Sequence, residues 1–414
     1  MTCQTTTPPI SGISRREGML SLLGSALALA GCGGGGSGGG TGLPAAGAPV
    51  ASAGAVTVGQ ITGFGSIILN GNGVRIDDSS ARFSDDDDND MRGKLRIGMQ
   101  VEVVTSTSAA GVVTAQSITT RGELQGRVEG TPDAAAKTFV VLGQTVKVVA
   151  GTVFDSSLSS GFASLNTDTT VEVHGRLNTQ TNTLTASFIE RKTSPQVFKI
   201  QGVVASHSAT AKTFKIGPTL ISYAGATDVR VLPSDGALVR VRLVAVLPPA
   251  ALPAQWQATR IRRSENVGED RNQFEIEGSI TAFTSQSVFS VNGVPVDAST
   301  AVFTRGAPAG LKLGAQVEVK GKLTNGTLVA VLVKMEDDAN DEREIELHGS
   351  ISGVTATRFV LLGLTVGYGA GVEFRKGTAA NLVNGAQVEV KGVPSDGSSA
   401  ATGVRATRIS FESS

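Results

Sequence analysis

The segment LGAQVEVKG, residues 313–321, contains the pattern that decides the fold. After its glycine the residues alternate, so that Val317 and Val319 face one side of an extended chain. Such alternation over a short run is typical of a β-strand with one buried face. Closely similar segments recur as GAQVEVKG at 385–392, GMQVEV at 98–103 and VEVHG at 171–175. The pattern therefore indicates a chain built from repeated β-strand units.

A glycine followed two residues later by Ile or Val opens each repeat. These glycines recur about every 70 residues, a period that indicates tandem copies of one small module. They are Gly59, Gly126, Gly202, Gly278 and Gly349. We expect a signal peptide at 1–31, a flexible Gly/Ala/Pro tether at 32–57, and repeats at 58–123, 124–197, 198–273, 274–344 and 345–414.

The fourth repeat shows the strand pattern expected of every copy. Residues 274–280 alternate between apolar and polar, and two short apolar segments meet at Asn292-Gly293, which is a strong hairpin signal. A further apolar segment at 301–303, a turn followed by a strand over 313–321, and a closing strand at 329–334 complete the unit. Five short strands with a longer connection between the third and fourth predict a small closed barrel of the OB type, with a β-sandwich as the alternative. The predicted fold class is all-β, with five tandem OB-like five-stranded β-barrels.

The start of the first repeat resembles a known family. Its framework comprises GQITGFGSI at 59–67, Asn70-Gly71, LRIGMQVEV at 95–103 and AQSI at 115–118. This framework is similar to the repeat family called domain of unknown function 5666, and the likeness covers residues 58–414. The third repeat departs from it, because Arg240 and Arg242 stand where other copies have Glu or polar residues. The resemblance implies a bacterial secreted protein or lipoprotein with OB-like barrels, and it transfers no catalytic residues.

Composition argues against several functional classes. Lys and Arg together number 36, as do Asp and Glu, so the formal net charge is zero, whereas nucleic-acid-binding domains are usually basic. Aromatic residues make up only 4% of the chain, which leaves few rings for stacking on bases or sugars. The sequence contains no nucleophile elbow, zinc-protease motif, P-loop or dinucleotide fingerprint. We therefore expect a non-enzymatic protein with no cofactor and no nucleic-acid partner.

The N-terminus has the features of an export signal. An apolar stretch at 19–30 follows two arginines and is too short to span a bilayer comfortably. It ends in Leu29-Ala-Gly-Cys32, which resembles the bacterial lipobox, where the cysteine takes a lipid and becomes the new N-terminus. The alternative is an ordinary signal peptide with an incidental cysteine. We expect lipidation at Cys32 and a lipid-anchored location in the cell envelope, at the outer membrane, facing the periplasm or the cell surface.

The third repeat holds the residues that most clearly break the pattern. If Val239, Val241 and Ile261 face inward, four arginines share the outer face of neighbouring strands. Trp256, the only tryptophan, ends a proline-containing loop nearby. Arginine suits an anionic partner because its guanidinium forms forked hydrogen bonds. The candidate ligand-binding residues are therefore Arg240, Arg242, Arg260, Arg262 and Trp256.

These arginines also have a simpler interpretation. Surface charges usually have nearby partners of opposite sign. The arginines would then pair with a neighbouring repeat or with the acidic residues Glu265, Glu269 and Asp270.

Two acidic runs are the candidates for calcium, which takes roughly 6–8 oxygen ligands. The second run lies at 336–342, and neither run matches an EF-hand, so solvated acidic loops are the alternative. The first run offers Asp85, Asp86, Asp87, Asp88 and Asp90. No metal site is otherwise predicted. His174 and His348 stand where other repeats have Lys, Gln or Glu, which predicts surface positions for both.

Many repeats with modest individual sites favour multivalent binding. We expect a scaffold, adhesion or binding array attached to the membrane through its N-terminal lipid, with an anionic envelope polymer or protein as partner. The alternatives are a periplasmic small-ligand or metal-binding protein and, less favoured, an accessory to an envelope enzyme. Polar residues converging in one deep pocket between repeats would favour an enzyme over the array.

Overall fold

A computed structural model describes residues 54–65, 67–70, 72–74, 80–107, 113–246, 255–264, 270–336, 344–395 and 403–412. The described part of the chain is all-β, with 61% of those residues in strands. The only helices in the described ranges are short 3-10 turns, and none of them has the length and apolar character needed to cross a membrane. The predicted signal peptide, the tether up to residue 53 and the predicted lipidation residue Cys32 lie outside these ranges.

Each repeat contributes five or six strands, numbered here in chain order. Repeat 1 contains β1 (Val56–Phe64), β2 (Ile67–Leu69), β3 (Asn72–Val74), β4 (Arg82–Asp85), β5 (Gln100–Thr107) and β6 (Val113–Thr120). Repeat 2 contains β7 (Leu124–Asp133), β8 (Thr138–Val141), β9 (Gln144–Phe154), β10 (Thr170–Asn178) and β11 (Thr183–Arg191). Repeat 3 contains β12 (Val197–Ser208), β13 (Thr213–Ile216), β14 (Thr219–Ser222), β15 (Asp228–Val229), β16 (Leu238–Val244) and β17 (Trp256–Arg263).

The last two repeats follow the same order. Repeat 4 contains β18 (Arg271–Ser285), β19 (Val288–Val291), β20 (Val294–Asp297), β21 (Val302–Thr304), β22 (Gln316–Thr324) and β23 (Thr327–Glu336). Repeat 5 contains β24 (Ile345–Ser352), β25 (Arg358–Leu361), β26 (Leu364–Gly367), β27 (Glu373–Arg375), β28 (Gln387–Pro394) and β29 (Gly403–Phe411). The 3-10 helices are Ser156–Leu158, Gly161–Ser164, Pro308–Gly310 and Ala379–Asn381.

Local structure follows the alternation in the sequence. Val317 and Val319 are fully buried, as their positions in the repeated segment predict. The hairpin predicted at Asn292-Gly293 joins β19 to β20, with Val291 paired to Val294. Both turn residues have positive φ, 48° for Asn292 and 85° for Gly293, which a type I′ turn requires and which Asn and Gly tolerate best. The sequence-based strand and turn assignments in this repeat are therefore confirmed.

The predicted row of closed OB-like barrels is wrong, because the repeats are arranged as the stacked coils of a β-solenoid. Strands of different repeats are hydrogen-bonded to one another. Repeats 1, 4 and 5 form one 18-stranded sheet, and repeats 2 and 3 form an 11-stranded sheet. The ends of β1 make the connections in the larger sheet: Val56 to Val58 pair in parallel with β18, and Gly63 and Phe64 pair in parallel with β24. A strand whose ends extend into its neighbours does not belong to a self-contained barrel.

Repeat 1 contacts all four other repeats. In addition to the strand pairing with repeats 4 and 5, the Gln100 amide donates a hydrogen bond of 3.2 Å to Nδ1 of His174 in repeat 2. The Lys199 ammonium of repeat 3 reaches the Asp86 carboxylate of repeat 1 at 2.7 Å. Neighbours in sequence are therefore not the only neighbours in space.

Stacking buries polar side chains that alternation assigns to the outer strand face. His174 is only 2% exposed, so the surface position predicted for it is wrong, whereas His348 is half-buried. The same packing buries framework residues of several repeats, namely Gln60, Gln125, Glu172, Lys199, Gln201, Glu277 and Glu318. Buried charges need partners. Lys199 finds one in another repeat, at Asp86, whereas Glu318 pairs with Lys320 and Lys334 of its own repeat.

Candidate functional site

The four candidate arginines lie together on one face of repeat 3. Val239, Val241 and Ile261 are buried, and β16 pairs antiparallel with β17. In this register Arg240 is opposite Arg262 and Arg242 is opposite Arg260. Like charges directly opposite one another on a sheet are destabilising unless something compensates them.

The position of Arg240 reverses the charge found in every other repeat. The strand registers place Glu102, Glu172, Glu318 and Glu389 at the corresponding position, one in each of the other four repeats. Each of these glutamates has a Lys or Arg within 4.0 Å. Repeat 3 therefore presents a cation, Arg240, at the one position where the other four repeats present a carboxylate.

The acidic run of repeat 1 supplies partners for these cations. Lys199 of β12 lies 2.7 Å from Asp86, 3.2 Å from Asp87 and 3.4 Å from Glu172. Arg240 approaches the Asp86 carboxylate at 3.6 Å, and Arg242 pairs with Asp87. We call Lys199, Arg240, Arg242, Asp86 and Asp87 the inner cluster.

The inner cluster is charged at neutral pH. Burial favours the neutral form of Asp86, but Arg240 and Lys199 outweigh burial and hold the pKa of its carboxyl below the usual value. Burial likewise favours neutral Lys199, but Glu172 and Asp86 outweigh it and raise the pKa of the ammonium group. The inner cluster therefore consists of mutually dependent ions between repeats 1 and 3.

A second group of arginines lies beside the inner cluster. Asp228 of β15 accepts contacts from Arg230 at 3.2 Å, Arg260 at 2.8 Å and Arg262 at 3.1 Å. Arg263 follows Arg262 at the end of β17. We call Arg230, Arg260, Arg262 and Arg263 the outer arginine group. A single carboxylate serves this group within the described ranges.

The outer arginine group and all of the inner cluster except Asp87 line one cavity of about 460 Å³ between repeats 1 and 3. Small-molecule sites usually measure about 300–1,000 Å³, so the cavity has a suitable size. Nine cationic side chains line it: Arg82, Arg121, Lys199, Arg230, Arg240, Arg242, Arg260, Arg262 and Arg263. Five carboxylates line it: Asp85, Asp86, Asp88, Glu102 and Glu123. Cations therefore outnumber carboxylates in the lining, although the chain as a whole is neutral, and Asp87, Asp228 and Glu172 offset part of this surplus from beside the cavity.

Trp256 is placed apart from the predicted arginine site. Its ring packs against Phe198 with a centroid distance of 5.6 Å, and it does not line the cavity. Of the acidic residues considered as partners for the arginines, Glu265 and Glu269 lie outside the described ranges. Asp270 instead accepts a hydrogen bond of 2.7 Å from the Asn325 amide.

The calcium candidates mostly have internal partners. Asp85 accepts hydrogen bonds of 2.8 Å from the amides of Asp87 and Asn89, and Asp88 pairs with Arg82 at the surface. Asp90 accepts a hydrogen bond of 3.0 Å from the Arg92 amide. Calcium binding by this run stays a prediction, and a bound ion would have to compete with these contacts. Most of the second run lies outside the described ranges.

One other group in the described part of the chain has donors suited to a metal ion. Ligand atoms of Glu346, His348 and Glu389 lie within 4.8 Å of one another. The Lys391 ammonium lies 2.8 Å from Glu346, and His348 also contacts Glu412 at 2.9 Å. The Lys391 ammonium group therefore already pairs with one of the carboxylates that a metal ion would need.

Sequence reasoning missed Lys199, Arg230, Arg263 and the pairing of the two charged segments. A signal was present, because repeat 1 has an excess of aspartates where repeat 3 has an excess of arginines in a neutral chain. Complementary departures from one framework suggest that the two segments meet.

Comparison with known families agrees with this picture of four regular repeats and one divergent repeat. Residues 53–119, 125–190, 277–334 and 348–405 match the family described as domain of unknown function (DUF5666). The match leaves out residues 191–276, which hold the arginines of repeat 3. No curated protein matches the chain. The matched segments make up more than half of the chain, which confirms the resemblance: the chain belongs to the family of domain of unknown function 5666.

Proposed function

We propose that this protein binds an anionic ligand in the cavity between repeats 1 and 3. The observation that carries the proposal is the excess of cations over carboxylates in the lining of that cavity, to which Arg240 adds by replacing a framework glutamate and Arg262 adds by standing where repeat 5 has Ser410. Guanidinium groups bind carboxylates and phosphates through paired, charge-assisted hydrogen bonds. A multivalent scaffold or adhesion array remains a prediction from the repeats alone.

Binding fits the lining of the cavity better than catalysis does. No histidine or cysteine is among the lining residues in the described ranges. The chemically distinctive groups there are arginines, which stay protonated and serve poorly as general bases. The polar groups converge between two repeats, which argues against an array of repeats that each bind independently. Because these groups are mostly arginines, their chemistry favours a ligand-binding protein over an enzyme.

The proposal predicts that the double variant Arg260→Ala/Arg262→Ala binds tripolyphosphate at least about tenfold more weakly than the wild type, because two charge-assisted contacts are lost. Isothermal titration calorimetry of the purified full-length protein measures this affinity. The matched control is Arg375→Ala/Arg408→Ala in repeat 5, where both arginines contact Glu373 in the corresponding arrangement. Equal affinity of both double variants, or no binding by the wild type, would contradict the proposal.

We also propose that a lipid on Cys32 holds the protein in the cell envelope, on the strength of Leu29-Ala-Gly-Cys32. Cys32→Ala removes the acylated sulfur, and loss of the acyl chains removes about 0.8 kcal/mol of membrane binding per buried CH2. We expect this variant to leave the membrane fraction and to lose labelling by a radioactive fatty acid. Cys3→Ala is the matched control and retains both. Membrane fractionation of Cys32→Ala without any acyl label would rule out the lipid anchor.

A further inference from the structure

We propose that the outer arginine group is a subsite for a phosphate monoester, an inference that rests on the proposed anion binding. The first argument is charge. The outer group has four guanidinium groups, and Asp228 is the one carboxylate that pairs with it among the described residues. A singly charged carboxylate leaves most of this surplus uncompensated. A phosphate monoester brings nearly two negative charges at neutral pH and offsets more of it.

The second argument comes from polar atoms that lack partners. Ser264, at 2% exposure, is buried, and its hydroxyl has no hydrogen-bond partner in the part of the chain that the structure describes. Nε of Arg262 is also buried without a partner there. Both residues line the cavity. Buried polar groups are normally hydrogen-bonded, so two such donors beside one cavity indicate a ligand with several acceptor atoms.

The third argument comes from repeat 5, which contains part of the same arrangement. Arg375 and Arg408 contact Glu373 at 2.8 Å and 3.0 Å, as Arg230 and Arg260 contact Asp228. This carboxylate with two arginines is therefore a shared structural ion pair. At the position of Arg262, repeat 5 has Ser410.

The difference between the two repeats identifies the residue that makes the subsite. Arg262 adds a third guanidinium to the shared ion pair and lies directly opposite Arg240. Such a like-charge pair is unfavourable by itself. A phosphoryl group has three terminal oxygens and accepts hydrogen bonds from Arg262, Ser264 and a neighbouring arginine together. A carboxylate has only two oxygens for the same donors.

The test compares two ligands of similar size, glucose 6-phosphate and glucuronate, by isothermal titration of the full-length protein. We expect glucose 6-phosphate to bind at least about tenfold more tightly, and Arg262→Ser to remove most of this preference. Ser is the residue that repeat 5 has at this position, so the variant keeps a side chain compatible with the fold. Ser264→Ala is expected to weaken glucose 6-phosphate binding about threefold by removing one donor. Arg408→Ala in repeat 5 is the control and leaves the affinity unchanged.

The outcomes separate this inference from the proposed function. Equal affinity for the two ligands, with both lost in Arg260→Ala/Arg262→Ala, overturns the phosphate subsite and leaves anion binding standing. If the wild type binds neither sugar ligand and no tripolyphosphate, the phosphate subsite and the proposed anion binding are both overturned. Inorganic phosphate and vesicles containing phosphatidic acid identify the source of the phosphoryl group. Each of three outcomes supports the subsite and names a different source. Tightest binding of the sugar phosphate assigns a soluble ester, and tightest binding of inorganic phosphate assigns the free ion. Tightest binding of the vesicles assigns a lipid headgroup.

Discussion

Lys199→Met is expected to lower the free energy of unfolding by about 3 kcal/mol, because removing one member of a buried ion cluster leaves uncompensated charge in its place. The Lys199 side chain is 7% exposed and lies within 3.4 Å of three carboxylates from two other repeats. The value falls at the lower end of the range for such substitutions because Glu172 keeps Lys192 at 2.6 Å. Urea-induced unfolding followed by circular dichroism measures the change.

The control for this substitution is Lys320→Met in repeat 4. Lys320 also bridges two glutamates, at 3.1 Å and 2.9 Å, but it is 36% exposed and Glu318 retains Lys334. We expect a cost of about 1 kcal/mol or less, as is usual for partly exposed pairs. A double-mutant cycle with Asp86→Asn gives the coupling between Lys199 and repeat 1. If Lys199→Met costs no more than Lys320→Met, the inner cluster does not hold repeats 1 and 3 together.

Strands and turns were predictable because they depend on neighbouring residues. Val317 and Val319 alternate with polar residues, and Asn292-Gly293 tolerates the positive φ that its turn requires. The stacking of coils was not predictable in this way. Alternation shows that the face of a strand is polar, but not whether that face meets water or another polar face. His174 is buried for this reason, although its position in the repeat suggests a surface residue.

The candidate site was predictable to a similar extent. Arg240 and Arg242 share a face because Val239 and Val241 are buried, which is a local consequence of the strand. Their partner Asp86 comes from a different repeat, and 113 residues separate it from Lys199. No local pattern predicts such a contact. The correspondence of Arg262 with Ser410 likewise depends on the strand registers of repeats 3 and 5.

His174 is the titratable group whose protonation most directly opposes the stacking of repeats 1 and 2. It is almost fully buried, and its ring lies 5.8 Å from that of Phe188. Nδ1 accepts the hydrogen bond from the Gln100 amide, so this nitrogen has no proton in the folded protein. Burial is the largest influence and lowers the pKa of His174 from 6.5 to about 4, although Glu172 opposes the change. Protonation replaces a hydrogen bond between repeats by a buried cation.

Acidification should therefore destabilise the wild-type protein before its carboxylates titrate. Between pH 6.5 and about 4 the unfolded chain binds a proton at His174 and the folded chain does not. The contribution of His174 to the free energy of unfolding is therefore complete above pH 6.5 and is lost as pH falls towards 4. The expected loss is about 2 kcal/mol between pH 7 and pH 5, from about 1.4 kcal/mol per pH unit across the window. Urea-induced unfolding at successive pH values measures it.

His174→Gln should flatten the pH profile, because the Gln amide oxygen can accept the Gln100 hydrogen bond and does not titrate. His348→Gln is the control with the opposite sign. Burial lowers the pKa of His348, but Glu346 and Glu412 outweigh burial and raise it. The contribution of His348 to the free energy of unfolding is therefore complete below pH 6.5, and it is lost as pH rises through the pKa of the folded state. Removing it should therefore abolish a small rise in stability as pH falls towards 6.5 and leave the slope below pH 6.5 unchanged. A profile for His174→Gln as steep as that of the wild type would show that other groups cause the acid sensitivity.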